Sequence, residues 1–150
     1  MSIKVVATNR KARHEYFILD TYEAGIALHG SEIKSIRAGK ISLAEAYISI
    51  DGHEAWLVNA HVAPYDQASH FNHDPLRPRK LLLHRSEINR LWNQVRQKGV
   101  TIVPLRIYLK AGRAKVEIAS AKGKKLYDKR AEIARRDVER ELQRQLRRRG

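Results

Sequence analysis

Apolar residues in this chain recur mostly at every second position, and at helical spacing in only a few places. Ala46, Ile48 and Ile50 alternate with Tyr47 and Ser49; after Asp51-Gly52, Trp56 and Val58 share one face with Leu57 on the other. A period of two is the signature of a strand with one buried face. Asp-Gly between two such runs predicts a hairpin, because both residues tolerate positive φ. Tyr16–Leu19 and Gly25–Leu28 predict two further short strands. Val100–Leu109 and Ala114–Ser120 predict two more, with Lys110-Ala111-Gly112-Arg113 as their turn. Pro104 cannot donate to a ladder, so it marks an edge or a bulge.

Helical spacing is clearest over Glu87–Lys98, where Ile88, Leu91, Trp92 and Val95 form one stripe, Ser86 is placed to cap and Gly99 to terminate. A shorter helix is expected after Ser31, with Ile33 and Ile36 on one face and Gly39 at its end. Residues 1–13 read as a basic lead-in, and 61–80 as an irregular, exposed loop. About six short strands with one long helix and one short helix predict a mainly β fold. The form expected is a small, closed or partly closed, OB-like antiparallel β-barrel with flanking helices.

Charge changes the picture most at the C-terminus. Residues Lys122–Gly150 carry twelve Lys/Arg against five Asp/Glu, half of the formal net charge of +14. Few large apolar side chains accompany them, so a tail that is disordered when free is expected. Leu126, Ile133, Val138, Leu142 and Leu146 fall on one stripe, and a helix is expected once the tail is docked. The division is therefore a barrel domain at 1–121 and a tail at 122–150. A sequence pI near 10.4 points to a polyanionic partner. No run approaches the ~20 apolar residues of a membrane span, no signal peptide is visible, and the chain has no cysteine. A soluble, cytoplasmic nucleic-acid binder is the expectation.

Candidate chemistry is sparse. His70 and His73, with Asp74, suggest a metal site, but zinc needs three or four convergent ligands and no second cluster supports this one. A solvated or RNA-facing loop is the better reading. There is no phosphate-cradling glycine loop and no nucleophile elbow, so neither an enzyme nor a cofactor is expected. Glu15, Asp20 and Glu23 read either as a solvated strand face or as acceptors for base amino groups and 2′-hydroxyls. Tyr16 reads as core, as a stacking platform, or as both.

Longer motifs are more specific. His14-Glu15-Tyr16-Phe17-Ile18 is followed by Tyr22-Glu23-Ala24-Gly25-Ile26-Ala27-Leu28 and by Gly30-Ser31-Glu32-Ile33-Lys34-Ser35-Ile36-Arg37. Asp74-Pro75, Arg79-Lys80-Leu81-Leu82-Leu83-His84 and Lys98-Gly99-Val100-Thr101-Ile102-Val103-Pro104-Leu105 come next. Ala121-Lys122-Gly123-Lys124-Lys125-Leu126-Tyr127-Asp128-Lys129-Arg130 completes the series. In this order, from about Asn9 to Asp137, the motifs resemble the SsrA-binding protein family, SmpB.

The resemblance implies an OB-like barrel that binds transfer-messenger RNA (tmRNA) through its tRNA-like domain and brings it to stalled ribosomes in trans-translation. It implies elongation factor Tu with alanyl-tmRNA as a further partner. It also implies that the protein stands in for the anticodon arm while its tail occupies the vacant mRNA channel beside small-subunit rRNA. Carried residue by residue, the RNA-binding face includes Asn9, Tyr16, Glu23, Leu82 and Lys115. Leu82, inside an apolar run, reads as core support rather than contact, and Lys115 as a phosphate contact. Gly123, Lys124 and Lys125 bridge to the tail. Tyr127, Asp128, Lys129 and Arg130 serve at the decoding centre, with Tyr127 able to stack on rRNA. Two other classes compete: a general OB-type single-strand binder or initiation-factor-like protein, and a hydrolase built on the histidine-rich loop.

Overall fold

A computed structural model describes residues 3–65 and 72–124, together with Arg140 and Arg144, both helical. The architecture is an antiparallel sheet with three helices. Its elements are β1 (Ile3–Thr8), α1 (Arg10–Glu15), β2 (Tyr16–Ile26), α2 (Gly30–Arg37), β3 (Ile41–Ser42), β4 (Tyr47–Ile50) and β5 (Ala55–Val58), then β6 (His61–Val62), β7 (Arg79–Leu82), α3 (Arg85–Val95), β8 (Val100–Lys110) and β9 (Arg113–Gly123). Seven strands pair in the order β1-β8-β9-β2-β7-β5-β4, while β3 and β6 form a small separate ladder. The sheet curls so that β4 packs near β8, but the ladder does not close; of the two expected forms the partly closed one is found.

Strand alternation sets the core. Ala24, Ile48, Leu57, Leu81, Ile102, Ile107, Val116 and Ile118 point inward and pack with Ile36 of α2 and Leu91 of α3. Each fully buried Leu or Ile contributes about 1.5–3 kcal/mol against exposure. A second, smaller cluster of Ala12, Val103, Leu105, Ala119 and Ala121 lies under α1, with Tyr16 and Ile18 packed against it.

Several expectations are corrected. The two short strands expected at Tyr16–Leu19 and Gly25–Leu28 are one eleven-residue strand, because Asp20 to Glu23 also pair with β9 after a register shift between Ile18 and Asp20. The lead-in through Arg13 forms β1 and the first four of the six residues of α1. The Asp51-Gly52 hairpin is present without positive φ at Gly52. Asp51 Oδ1 instead accepts from the His53 and Glu54 amides, both at 2.7 Å, and makes a four-residue loop. Positive φ falls on Ala111 and Gly112, which form the β8–β9 turn. Pro104 marks a bulge, since the register of β8 with β9 shifts just after it, and it lies beyond the β1 ladder, which pairs only Arg106–Lys110 of β8, so its missing donor faces no strand on that side.

Neither expected serine caps its helix. His29 precedes α2 and His84 precedes α3; their amides donate to Glu32 Oε1 at 2.7 Å and Glu87 Oε1 at 3.0 Å. A glutamate three residues on satisfies the helix start as in a capping box, which is why each helix begins before its serine.

The loop expected to be exposed holds the most buried charge. Arg79 and Glu32 are both fully buried, with Arg79 Nε donating to Glu32 Oε2 at 2.5 Å. Arg79 also donates to the carbonyls of Ala60 at 2.8 Å, Pro75 at 3.2 Å and Asp74 at 3.3 Å, and Arg77 reaches Glu32 Oε1 at 2.5 Å. His73 is buried too, with Nδ1 2.8 Å from Ser31 Oγ and Nε2 2.9 Å from the Val62 carbonyl. His70 lies outside the described residues.

Burial alone would raise the Glu32 carboxyl, but bonds from Arg77, the His29 amide and Arg79 outweigh it and hold the pKa at about 2, below its ordinary 4.5. Glu32→Ala is therefore expected to lose about 3–5 kcal/mol in urea unfolding, because Arg79 stays buried without its partner. The group's contribution is complete above about pH 4.5 and is lost as pH falls towards 2. Acid unfolding of the parent and of Glu32→Gln should accordingly differ in that window, and superimposable curves would refute the assignment.

Candidate nucleic-acid interface

Three neighbouring strands build one row of side chains on the outer face of the sheet. Gly25 of β2 pairs with Lys115 of β9 on one side and with Leu82 of β7 on the other. Two residues back along β2, Glu23 pairs with Glu117, which itself pairs with Arg106 of β8. Register thus gathers Glu23, Leu82 and Lys115, which are up to 92 positions apart in sequence, with Gly25 as a floor between them.

Leu82 is 55% exposed, whereas its neighbour Leu81 is 2% exposed and supplies the core contact. The expectation that Leu82 supports the core is overturned: β7 alternates, so only one of two adjacent leucines can point inward. The glycine matters because a Cβ at position 25 would lie 3.2 Å from Leu82 Cβ. A hollow of about 580 Å³ opens towards the start of α3, lined by Glu23, His53, Lys80, Leu82, His84 and Lys115 among others. A second, of about 340 Å³, opens towards the β8–β9 turn and shares Gly25, Leu82 and Lys115. Arg113 lines it at that turn.

Electrostatically the groove is mixed. Glu23 is exposed, accepts a short hydrogen bond from the Tyr108 hydroxyl, and has Lys110 Nζ 3.4 Å away. The Tyr108 bond, followed by the charges of Lys110 and Lys115, holds the Glu23 carboxyl below its ordinary value despite some burial. Burial, then the bond to Glu23, pushes the Tyr108 hydroxyl well above its ordinary value, so it remains a donor. A fixed carboxylate beside a free-ended lysine and an exposed leucine can accept from an amino or 2′-hydroxyl group, meet a phosphate, and carry a flat ring.

The other expected residues lie elsewhere. Tyr16 and Glu23 are seven residues apart on β2, roughly 23 Å at ~3.3 Å per residue. Tyr16 pairs with Gly123, the last residue of β9, and Lys124 Nζ sits 5.3 Å from the Phe17 ring centroid and 3.4 Å from the Arg13 carbonyl. Asn9 is buried and engaged internally. Its Oδ1 caps α1 at the Ala12 amide (3.2 Å), its Nδ2 donates to the Pro104 carbonyl (3.0 Å) and its backbone amide to Leu105 (2.8 Å). Lys125, Tyr127, Asp128, Lys129 and Arg130 lie outside the described residues. His53, His84, Gly25 and Arg113 were not singled out by sequence reasoning. Only Arg113, beside Lys115 and in the hairpin turn, had a readable signal.

Among the described residues no group of three or more His, Asp or Glu could hold a metal ion, and no helix is long and apolar enough to cross a membrane.

Fold and groove together define a small, strongly basic OB-like β-protein with a mixed-charge groove on its sheet. Comparison with known proteins takes this further. The family model described as SmpB protein matches residues 6–148. The SsrA-binding protein of Desulforudis audaxviator is 62% identical over 141 residues, covering 94% of this chain and 92% of that protein. That of Chloroflexus aggregans is 62% identical over 148 residues, covering 98% and 94%. A chain from the solved structure described as "tmRNA-SmpB: a journey to the center of the bacterial ribosome" superposes with a TM-score of 0.66 at 52% identity, covering 79% of this chain and 83% of that one. The chain belongs to the SmpB protein family.

Removing the Tyr108 hydroxyl removes the leading cause of the lowered Glu23 pKa. In Tyr108→Phe the Glu23 carboxyl should therefore titrate at a higher pH than in the parent, followed by carbon NMR of the side-chain carboxyl. An unchanged midpoint would show that Lys110 and Lys115 set it instead.

Proposed function

We propose that this chain binds tmRNA and is required for its stable association with stalled ribosomes in trans-translation. The observation that carries the reading is full-length similarity to SsrA-binding proteins, with 62% identity over 94% of the chain. The groove supports it chemically. Glu23, Leu82 and Lys115 converge on one face, where a carboxylate, an apolar platform and a cation suit a folded RNA with exposed bases and a phosphate backbone. With tmRNA the protein completes a tRNA-like shape in place of the anticodon arm, and the nascent peptide is then tagged for degradation and the ribosome freed.

The same reading assigns the chain two modules. Residues 1–121 form the RNA-binding body; β9 continues through Gly123, so the hand-over to the tail lies beside Tyr16 and α1. Gly123, Lys124 and Lys125 bridge to the tail, whose positive charge suits a channel lined with phosphates. Tyr127, Asp128, Lys129 and Arg130 then act at the decoding centre beside small-subunit rRNA, and elongation factor Tu delivers the complex with alanyl-tmRNA. Asn9, spent on α1 and the β8 bulge, acts by holding α1 in place rather than by touching RNA. The protein acts as a binding adaptor in the cytoplasm, and the chemistry belongs to its partners.

Binding of the tRNA-like domain of tmRNA, against an unstructured RNA of equal length across a salt series, tests the reading. Selective binding that survives physiological salt is expected. Equal affinity and equal salt slopes would leave a general single-strand binder. Glu23→Ala should weaken binding by about 1–3 kcal/mol, and Lys115→Gln should reduce the salt slope by about one. Removing residues from Lys124 onward should leave RNA binding nearly intact and abolish tagging in a reconstituted stalled-ribosome assay. Loss of RNA binding in that truncation would refute the two-module division.

A further inference from the structure

The groove that carries Glu23, Leu82 and Lys115 has a charge at odds with a polyanion. Of the ionised side chains that line it, three are carboxylates, Glu23, Glu54 and Glu87, and two are lysines, Lys80 and Lys115. Lys80 Nζ is 3.4 Å from Glu54 Oε1, so one of those lysines already has its partner. The lining is thus one charge negative on a chain whose formal net charge is +14. Two further titratable groups line the same hollow, His53 from the β4–β5 loop and His84 just ahead of α3, and both are exposed. Histidine is the side chain whose ordinary change of charge falls between about pH 5 and 8. With both rings protonated the lining becomes one charge positive.

The groups around each ring decide what a proton meets there. Arg85 Nη2 of α3 stands 3.4 Å from His53 Nδ1; a guanidinium only donates, so Nδ1 accepts and the bond suits the neutral ring alone. On its own loop His53 has Glu54 and Asp51, whose carboxylate feels the ring's charge. His84 has Glu87 of α3 beside it, where Oε1 takes the His84 amide at 3.0 Å, and β7 brings Lys80 to the same hollow. Glu23 of β2 and Lys115 of β9 complete the charged lining. A phosphate entering this end offers Arg85 a second acceptor, releases Nδ1 and sets negative charge before both rings. An opposite charge within ~4–6 Å favours the charged form of a titrating group.

We propose that the groove takes up protons through His53 and His84 as it binds RNA, so that affinity for the tRNA-like domain strengthens as pH falls from about 8 to about 5.5. The inference rests on the RNA-binding reading above and adds to it a control by pH. A complex that holds more protons than its free components is favoured by acid, which fixes the sign. Carboxylates do not produce the effect in this window, because they ordinarily titrate at about 4 and Glu23 is held below its ordinary value. If each ring holds its proton about threefold more tightly beside a phosphate, the two together strengthen binding by about tenfold. Proton uptake also turns a lining that repels phosphate into one that attracts it, so the salt slope should be steeper in acid than in base.

The test uses the full chain and the tRNA-like domain of tmRNA, titrated at fixed ionic strength from about pH 8 to about pH 5.5. The parent should bind about tenfold more tightly at the acid end. Calorimetry in two buffers of different ionisation enthalpy should show net proton uptake on binding. His53→Gln combined with His84→Gln should melt at the parent's temperature, since both rings are exposed, and should lose the acid gain together with the uptake. His53→Gln alone, in a loop on which no helix start depends, should lose part of both. His61→Gln, exposed on β6 and outside the groove lining, should keep the parent's full pH dependence. Flat affinity across the window, an acid gain that survives in the double variant, or one that His61→Gln also abolishes, overturns the proton link and leaves the RNA-binding reading standing. A parent that prefers the tRNA-like domain over an unstructured RNA at no pH overturns the reading beneath it.

Discussion

Glu32 and Arg79 share a site from which water is excluded, and much of the arrangement outside the main ladder hangs on that pair. Neither charge is tolerable there alone, so each must be met by every available bond. Glu32 answers to Arg77, Arg79 and the amide that begins α2. Arg79 answers to Glu32, to the Ala60 carbonyl just ahead of β6, and to the Asp74 and Pro75 carbonyls within the β6–β7 connection. The pair therefore ties the connection to α2 and fixes where β7 begins. Since β7 alternates from Arg79, that starting point also decides that Leu81 faces the core and Leu82 faces solvent.

The outward set of that strand is what gives the surface its chemistry. With Leu82 placed by β7, Gly25 by β2 and Lys115 by β9, a row forms that no single element could make. Glu23 is held beside it by a tyrosine whose own hydroxyl is kept protonated by burial and by that carboxylate. A slip of one residue in either ladder would turn these side chains inward and bring the core residues out, so register rather than composition sustains the row. The lower rim of the sheet follows the same logic. Asn9 anchors α1 to the β8 bulge, and the helix then presents its cations beside Tyr16 and the end of β9.

Family membership gives this geometry its context, and the geometry in turn distributes roles among residues that similarity alone treats alike. Asn9 and Leu82 stood together as expected RNA-face residues. One is buried and spent on the fold, the other is exposed on the groove.

By itself the sequence determined the element types, the hairpins and the excess of positive charge, because alternation, turn residues and net charge are local and additive. Asp51-Gly52 and Ala111-Gly112 marked turns, Pro104 marked a bulge, and the motifs from His14 to Arg130 marked the family. Tertiary structure alone decided what could not be local. It buried Arg79 and His73 in a stretch that reads as a polar loop, since a charge can be internal only where distant carboxylates and carbonyls meet it. It joined two predicted strands into one, because β9 offered partners to the polar residues between them. It chose Leu82 over Leu81 for the surface. Each of these depends on which face of a strand meets which neighbour, and that is settled only when the sheet is assembled.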